Sequence, residues 1–167
     1  ARTHDMDRKH MQETFRKAHE HRGSSLVEIL QNCNVFNDGA FAAITKKDKR
    51  DSMLIQLKHG EPIRFGADNE FGVISNSQGK AEIVKVDEVG EPALVIHDEN
   101  NENPSLALSI SRIASGPYEP TPVGVFRQVQ RPEYSSVVNQ QIEVAREQRG
   151  SGDLNDLLAS QPTWEVG

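Results

Sequence analysis

The sequence predicts an α/β chain, and three features carry that prediction. A helical repeat over residues 5–22 passes through Gly23 into the apolar stretch 25–30, the pattern of a helix stepping onto a sheet strand. Short apolar runs then alternate with polar connections rich in Asn, Gly and Pro. From about residue 100 onward large apolar side chains become sparse, so the last third reads as an arm of helices and loops that lies against something else.

In the first helix Met11, Phe15 and Ala18 fall at i, i+4 and i+7 and share one face. Asp5 and Asp7 suit its positive N-terminal end, and His19, His21 and Arg22 its C-terminal end, with Gly23 as the residue beyond the cap. After the strand at 25–30, five of the nine residues in 31–39 (QNCNVFNDG) are Asn, Asp or Gly, which is loop chemistry. Residues 40–45 allow a short helix, with the charge run 46–51 as its solvated end. A strand is expected at 53–57, a turn at His59-Gly60-Glu61-Pro62, and a short apolar run at 63–65. The stretch 68–79 is rich in Asn, Gly and Ser around Phe71-Gly72-Val73-Ile74. The alternation KAEIVKV over 80–86 is that of a half-buried strand, and a turn at 88–92 leads to another strand at 93–96.

Residues 97–103 form an acidic loop, and Pro104 opens a helix whose apolar face carries Leu106, Ile110 and Ile113. The Pro-rich segment 116–122 is expected to be extended and 123–129 to be a strand. A helix then carries Val137 or Val138, Gln141 or Ile142, and Ala145, and ends at Gly150. A short helix at 153–159 follows, and Trp164 near the end is placed to anchor the tail. No internal repeat is visible.

Composition narrows the possible functions. Leu, Ile, Val and Phe make up about a quarter of the 167 residues, enough for a packed core. The net charge is −6 and no Lys/Arg stripe dominates, which argues against a general binder of nucleic acid or anionic membrane. Mean hydropathy is −0.62, and no apolar run approaches the roughly 18 residues of a membrane-spanning helix. One cysteine permits neither a disulfide framework nor a zinc site built from this chain's thiolates alone. The opening ARTHDMDRKHMQE lacks the apolar segment of a signal peptide, and its lack of an initial Met fits a processed product or a fragment.

Cys33 is the most informative residue. It lies just past the C-terminal end of an expected strand, where ligands gather in open α/β sheets. Asn32, Asn34 and Asn37 are placed to hydrogen-bond its sulfur or a cofactor. The competing reading, a small buried apolar residue, leads on spacing alone. His4 with Asp5 and Asp7 offers metal-ligand chemistry, but His19 and His21, two apart on a helix, face different ways. His97-Asp98 has the composition of a dyad, against which a solvated loop is the stronger reading. No GxSxG, GxGxxG, P-loop or CxxC pattern occurs, and RQVQR at 127–131 is too short to argue for nucleic acid. Composition and spacing alone therefore yield no complete active site.

The stretch Ser25-Leu26-Val27-Glu28-Ile29-Leu30-Gln31-Asn32-Cys33-Asn34-Val35-Phe36-Asn37-Asp38-Gly39 resembles the beta subunit of 2-oxoacid:ferredoxin oxidoreductases, the 2-oxoglutarate type in particular. The opening ARTHDMD, the AHEHRG that ends the first helix, His59-Gly60-Glu61-Pro62-Ile63 with Phe65-Gly66, and Ile96-His97-Asp98-Glu99 are similar to the same family. So are Pro104-Ser105-Leu106-Ala107, Pro122-Val123-Gly124-Val125-Phe126-Arg127 and Thr163-Trp164, in the same order along the chain.

The resemblance implies the C-terminal half of such a subunit. Residues 1–50 would close its thiamine diphosphate-binding parallel-sheet domain, and residues 51–167 would form an extended C-terminal arm of short strands and helices. The family's Mg2+-diphosphate motif and its other cluster cysteines lie N-terminal to this region and are absent from this sequence. Cys33 would be the distant fourth ligand of a [4Fe–4S] cluster in the full subunit, with Asn32, Asn34 and Asn37 around the cluster. The implied reaction is oxidative decarboxylation of a 2-oxoacid, 2-oxoglutarate being expected, to an acyl-CoA, with electrons leaving through the cluster to ferredoxin. The implied partners are an alpha subunit and ferredoxin, in a cytoplasmic oligomer, with no cofactor held and no turnover by this chain alone. The catalytic residues themselves are not assigned. A non-catalytic assembly or binding module that keeps the family's tail is the alternative. A small hydrolase built on His97 and Asp98 lacks a nucleophile.

Overall fold

The computed structural model describes residues 1–113, 119–160, 162 and 164. Residues 116–118 of the Pro-rich segment and Thr163 lie outside them. The chain is mixed α/β, with two small parallel sheets and one antiparallel sheet, and divides into two compact units, Ala1–Gln130 and Arg131–Gly167.

The first unit opens with a strand that the sequence analysis does not anticipate, β1 (Arg2–His4). Helix α1 (Arg8–Glu20) follows, capped by the Asp7 carboxylate, which accepts from the His10 amide at 3.0 Å. Its buried residue is Thr14, whose hydroxyl donates to the His10 carbonyl; Phe15, expected on the buried face, is largely exposed. Strand β2 (Glu28–Leu30) is shorter than the expected 25–30 and runs parallel to β1, with Thr3 opposite Ile29 and His4 opposite Leu30.

Helix α2 (Ala42–Thr45) is where a short helix is expected, but the charge run beyond it is a helix of its own, α3 (Lys47–Met53). Lys46, with an extended backbone, separates the two. Strand β3 (Leu54–Gln56) pairs in parallel with β7 (Thr121–Val123). The meander β4 (Arg64–Phe65), β5 (Phe71–Ser75) and β6 (Ala81–Lys85) forms the antiparallel sheet, followed by the short helix α4 (Val86–Val89).

Two expected strands are corrected. At 93–96 the chain first makes a 3₁₀ turn, Glu91–Ala93, and then only isolated ladder bonds: Ile63 to the Val95 carbonyl at 2.9 Å and Val95 to the Val73 carbonyl at 2.8 Å. The strand expected at 123–129 lies earlier, at β7, and ends at Gly124, whose φ of 121° leaves strand geometry. Gly124 exchanges two backbone hydrogen bonds of 2.9 Å with Arg2, which stitches β1 to the end of β7. A Cβ at Gly124 would stand 2.8 Å from the Leu57 carbonyl oxygen. Gly124→Ala is therefore expected to cost about 1–3 kcal/mol, read as a lowered thermal midpoint by circular dichroism. An unchanged midpoint would contradict the crowding.

The main core joins Ile55, Leu57, Ile63, Phe65, Val73, Ala81 and Ile110, and the Phe65 and Phe71 rings stack at 5.4 Å between centroids. Ile110 comes from α5 (Ser105–Ser111), which starts after Pro104 as the sequence predicts. A second cluster of Ile44, Leu54 and Val123 packs with Leu30, Phe41 and Met53, and so supports the end of β2 from beneath α2. The side chain of Arg2 fastens β1 across long sequence separations. It binds Glu28 at 2.7 Å and the carbonyls of Pro122 and Ser111, and lies over the Phe126 ring.

The second unit holds α6 (Tyr134–Arg149) and α7 (Leu154–Leu158), both where helices are expected. Gly150 closes α6 with φ of 79°, and the Asp153 carboxylate caps α7 by accepting from the Asn155 and Asp156 amides. Neither helix has a buried residue. Trp164 is exposed.

Candidate functional site around Cys33

Because β1 and β2 are parallel, both deliver their C-terminal ends to one sheet edge. The Asp5 amide donates to the Leu30 carbonyl at 3.2 Å and continues the pairing one step. The chain after β2 then turns over itself: the Asn37 amide donates to the Cys33 carbonyl at 2.9 Å, closing the Cys33–Asn37 bridge.

Asn32 is the strut of this loop. Its side-chain amide donates to Asn34 Oδ1 at 2.7 Å and to Asp38 Oδ1 at 2.9 Å, and its Oδ1 accepts from the Gly39 amide at 2.8 Å. Its backbone amide donates to Asp5 Oδ2 at 3.3 Å, which ties the loop back to β1. Both amide hydrogens and the carbonyl of Asn32 are thus engaged inside the loop. Asn34 contributes the acceptor for Asn32, and Asn37 contributes its backbone.

This frame leaves the Cys33 thiol exposed, so the buried reading favoured by spacing does not hold. The backbone amide of Phe36, then that of Val35, and also that of Asn37 pull the thiol below its ordinary pKa; slight desolvation and the nearby Asp38 charge oppose them. An exposed thiol whose pKa is lowered by surrounding amide hydrogens has the chemistry of a soft metal ligand in a hydrogen-bond-donating seat. The Val35 and Phe36 side chains beside it stand in the open, Phe36 at 91% exposure. The donors around sulfur are the backbone amides of Phe36, Val35 and Asn37, while the Asn32 side chain is engaged within the loop. Sequence reasoning had only the Asn/Asp/Gly density of 31–39 to indicate this.

The other candidates separate. His97 is buried, and its Nε2 donates to the Val125 carbonyl at 2.7 Å, as the neutral ring does. Asp98 instead lies 3.6 Å from Nδ1 of His59, and Glu99 binds Lys17 at 3.0 Å, so His97 and Asp98 form no dyad. Among the described residues no group of three or more His, Cys, Asp or Glu side chains converges to hold a metal ion. His4 is buried at the end of β1. Arg127, in the RQVQR stretch, spends its guanidinium on the Asn101 and Glu102 carbonyls. Among the described residues no helix is long and apolar enough to cross a membrane.

Burial lowers the ring pKa of both His4 and His97 below the ordinary 6.5. The unfolded chain therefore binds more protons just below pH 6.5, and folding stability falls as the pH drops through that window. Urea unfolding at pH 7.5 and 5.5 is expected to give the lower midpoint at 5.5. Equal midpoints would contradict the burial of both rings.

No protein-family profile and no solved structure matches the chain. The chain is similar to the 2-oxoglutarate oxidoreductase subunit KorB of Mycobacterium tuberculosis (strain ATCC 25618 / H37Rv), with 38% identity over 164 residues, 97% of this chain and 43% of that subunit. The chain spans less than half the length of this relative. Over nearly its whole length the chain thus matches part of a 2-oxoglutarate oxidoreductase subunit.

Proposed function

We propose that this chain serves as the C-terminal portion of a 2-oxoglutarate:ferredoxin oxidoreductase beta subunit, and that Cys33 ligates a [4Fe–4S] cluster in the complete subunit. The observation that carries the reading is the exposed Cys33 in its ring of backbone amides at a parallel sheet edge, in a chain 38% identical to a 2-oxoglutarate oxidoreductase subunit.

The residues present fit one corner of such a cluster. Cubane clusters take about four thiolates, so the remaining cysteines come from elsewhere in the subunit. The fit of Cys33 rests on its exposed sulfur and on the donors around it, because hydrogen bonds to cluster sulfurs raise the reduction potential. When bound, the cluster supplies one-electron transfer and thiamine diphosphate supplies carbanion stabilisation during decarboxylation. In this reading thiamine diphosphate and Mg2+ are held by the preceding part of the subunit, where the family keeps that motif, and residues 1–50 close the same domain.

The work of this chain is then positional. Asn32 holds the loop shape, Asp5 ties the loop to β1, and the Val35–Asn37 amides fix the electrostatics at sulfur. The exposed Val35 and Phe36 side chains would add an apolar shell beside a cluster held at Cys33. The products would be an acyl-CoA, carbon dioxide and reduced ferredoxin, and the partner an alpha subunit in a cytoplasmic oligomer.

The test is 2-oxoglutarate-dependent viologen reduction, with coenzyme A present, by the complete subunit assembled with its partner. Turnover by the assembly, and none by this chain alone, is expected. An assembly that forms without iron and without turnover would favour the non-catalytic module and remove this reading.

A further inference from the structure

We propose that His4 and Asp7 form a proton-operated latch on the start of α1, at the same sheet edge as the Cys33 loop. The latch does not depend on what Cys33 binds. His4 ends β1 and is 1% exposed, and neither of its ring nitrogens has a hydrogen-bond partner. His4 and His21 alone among the described residues leave buried side-chain nitrogens unpaired, and His4 leaves both. A buried imidazole with neither nitrogen paired carries a desolvation cost, and a second state that pairs it would relieve that cost.

The groups around His4 define that second state. The charged side chains that act on it are Asp5 and Asp7 in the turn, His10 on α1 and Arg50 on α3. Its neighbour on β2 is Leu30, and the residues of β7 carry no charge. Burial, His10 and Arg50 hold the ring neutral, while Asp7 and, more weakly, Asp5 favour the cation. Both carboxylates are already committed: Asp7 Oδ1 caps α1 through the His10 amide at 3.0 Å, and Asp5 Oδ2 holds the Asn32 amide.

A proton taken up by His4 creates a buried cation whose strongest attraction is Asp7. Asp7 stands across one tight turn, its own amide donating to the His4 carbonyl at 3.3 Å. The imidazolium draws the Asp7 carboxylate from the His10 amide, and the first turn of α1 loses its cap. Loss of the proton returns the carboxylate to the helix. His10 is held from the other side by Thr3, whose Oγ1 lies 2.8 Å from its Nδ1, so the movement begins at the cap.

The experiment is a nuclear magnetic resonance titration of the complete chain from pH 7.5 to 5. The His4 ring signals are expected to titrate below the ordinary histidine midpoint, and the side-chain carboxyl carbon of Asp7 to move with the same midpoint. In His4→Gln that movement of Asp7 disappears. In Asp7→Asn, which keeps a capping oxygen but no charge, the His4 midpoint falls further, by enough to change the protonated fraction about tenfold at a given pH. Should His4→Gln fail to fold, Asp7→Asn decides alone. An Asp7 signal that is flat above pH 5, one that titrates identically in His4→Gln, or a His4 midpoint unmoved by Asp7→Asn would overturn the latch.

Discussion

Cys33→Ala in the complete subunit is expected to remove its [4Fe–4S] cluster while leaving its fold intact. The Cys33 side chain is exposed and its thiol is no part of a core, so folding loses nothing measurable. If Cys33 ligates the cluster as proposed, the variant loses one of about four thiolates. Changes to outer-shell partners of a metal site already cost about 10–100-fold, so loss of a ligand should lower 2-oxoglutarate-dependent dye reduction by more than about 100-fold. Iron and acid-labile sulfide, assayed on the purified variant, should fall together with activity at an unchanged thermal midpoint. Normal iron content in Cys33→Ala would remove Cys33 from the ligand set. A fall in the midpoint without a fall in iron would make it a structural residue.

The second large effect lies in the core. Ile55 is fully buried on β3, opposite Pro122 of β7, within the main apolar cluster. Ile55→Ala is expected to cost about 2–5 kcal/mol, the transfer free energy plus a cavity that a crowded site closes poorly. For a chain of this size that is a midpoint about 5–15 °C lower by differential scanning calorimetry. Ile55→Val, which removes one methylene, should cost about 0.5–1.5 kcal/mol. If both variants melt with the wild type, β3 does not sit where the core requires. The effect should reach the Cys33 edge only indirectly, because β1 is stitched to the same ladder through Arg2 and Gly124.

How much of this was legible in the sequence differs from element to element. Helix α1 was legible because its repeat, its acidic cap and its glycine stop agree, although the buried residue is Thr14 and Phe15 faces outward. Helices α5, α6 and α7 were legible from Pro104, Gly150 and Asp153, residues whose backbone chemistry marks a terminus whatever packs nearby. Strand β6 was legible from its alternation. Strand β1 was not, because three residues, Arg-Thr-His, carry no period and their partners, β2 and, for Arg2, Gly124, are distant in sequence. Helix α3 was hidden because KDKRDSM has no apolar stripe. The strand at β7 was displaced because Gly124 can leave strand geometry at a point where periodicity alone would continue it.

Cys33 was legible in the sequence as a candidate; its exposure and surroundings were not. Cys33 stands out as the lone thiol past a strand, yet spacing favoured burial, and the resemblance across residues 25–39 was what pointed to a ligand. The structure supplies the exposure and the amide ring, and it shows the Asn32 side chain bracing the loop. No local pattern reveals that assignment, since Asn32 Nδ2 is equally able to reach outward until Asp38 and Asn34 are placed beside it.

The most direct measurement is anomalous diffraction at the iron absorption edge from crystals of the complete enzyme. The account predicts an iron peak within bonding reach of Cys33 Sγ. Iron peaks elsewhere in the subunit, with none beside that sulfur, would contradict it.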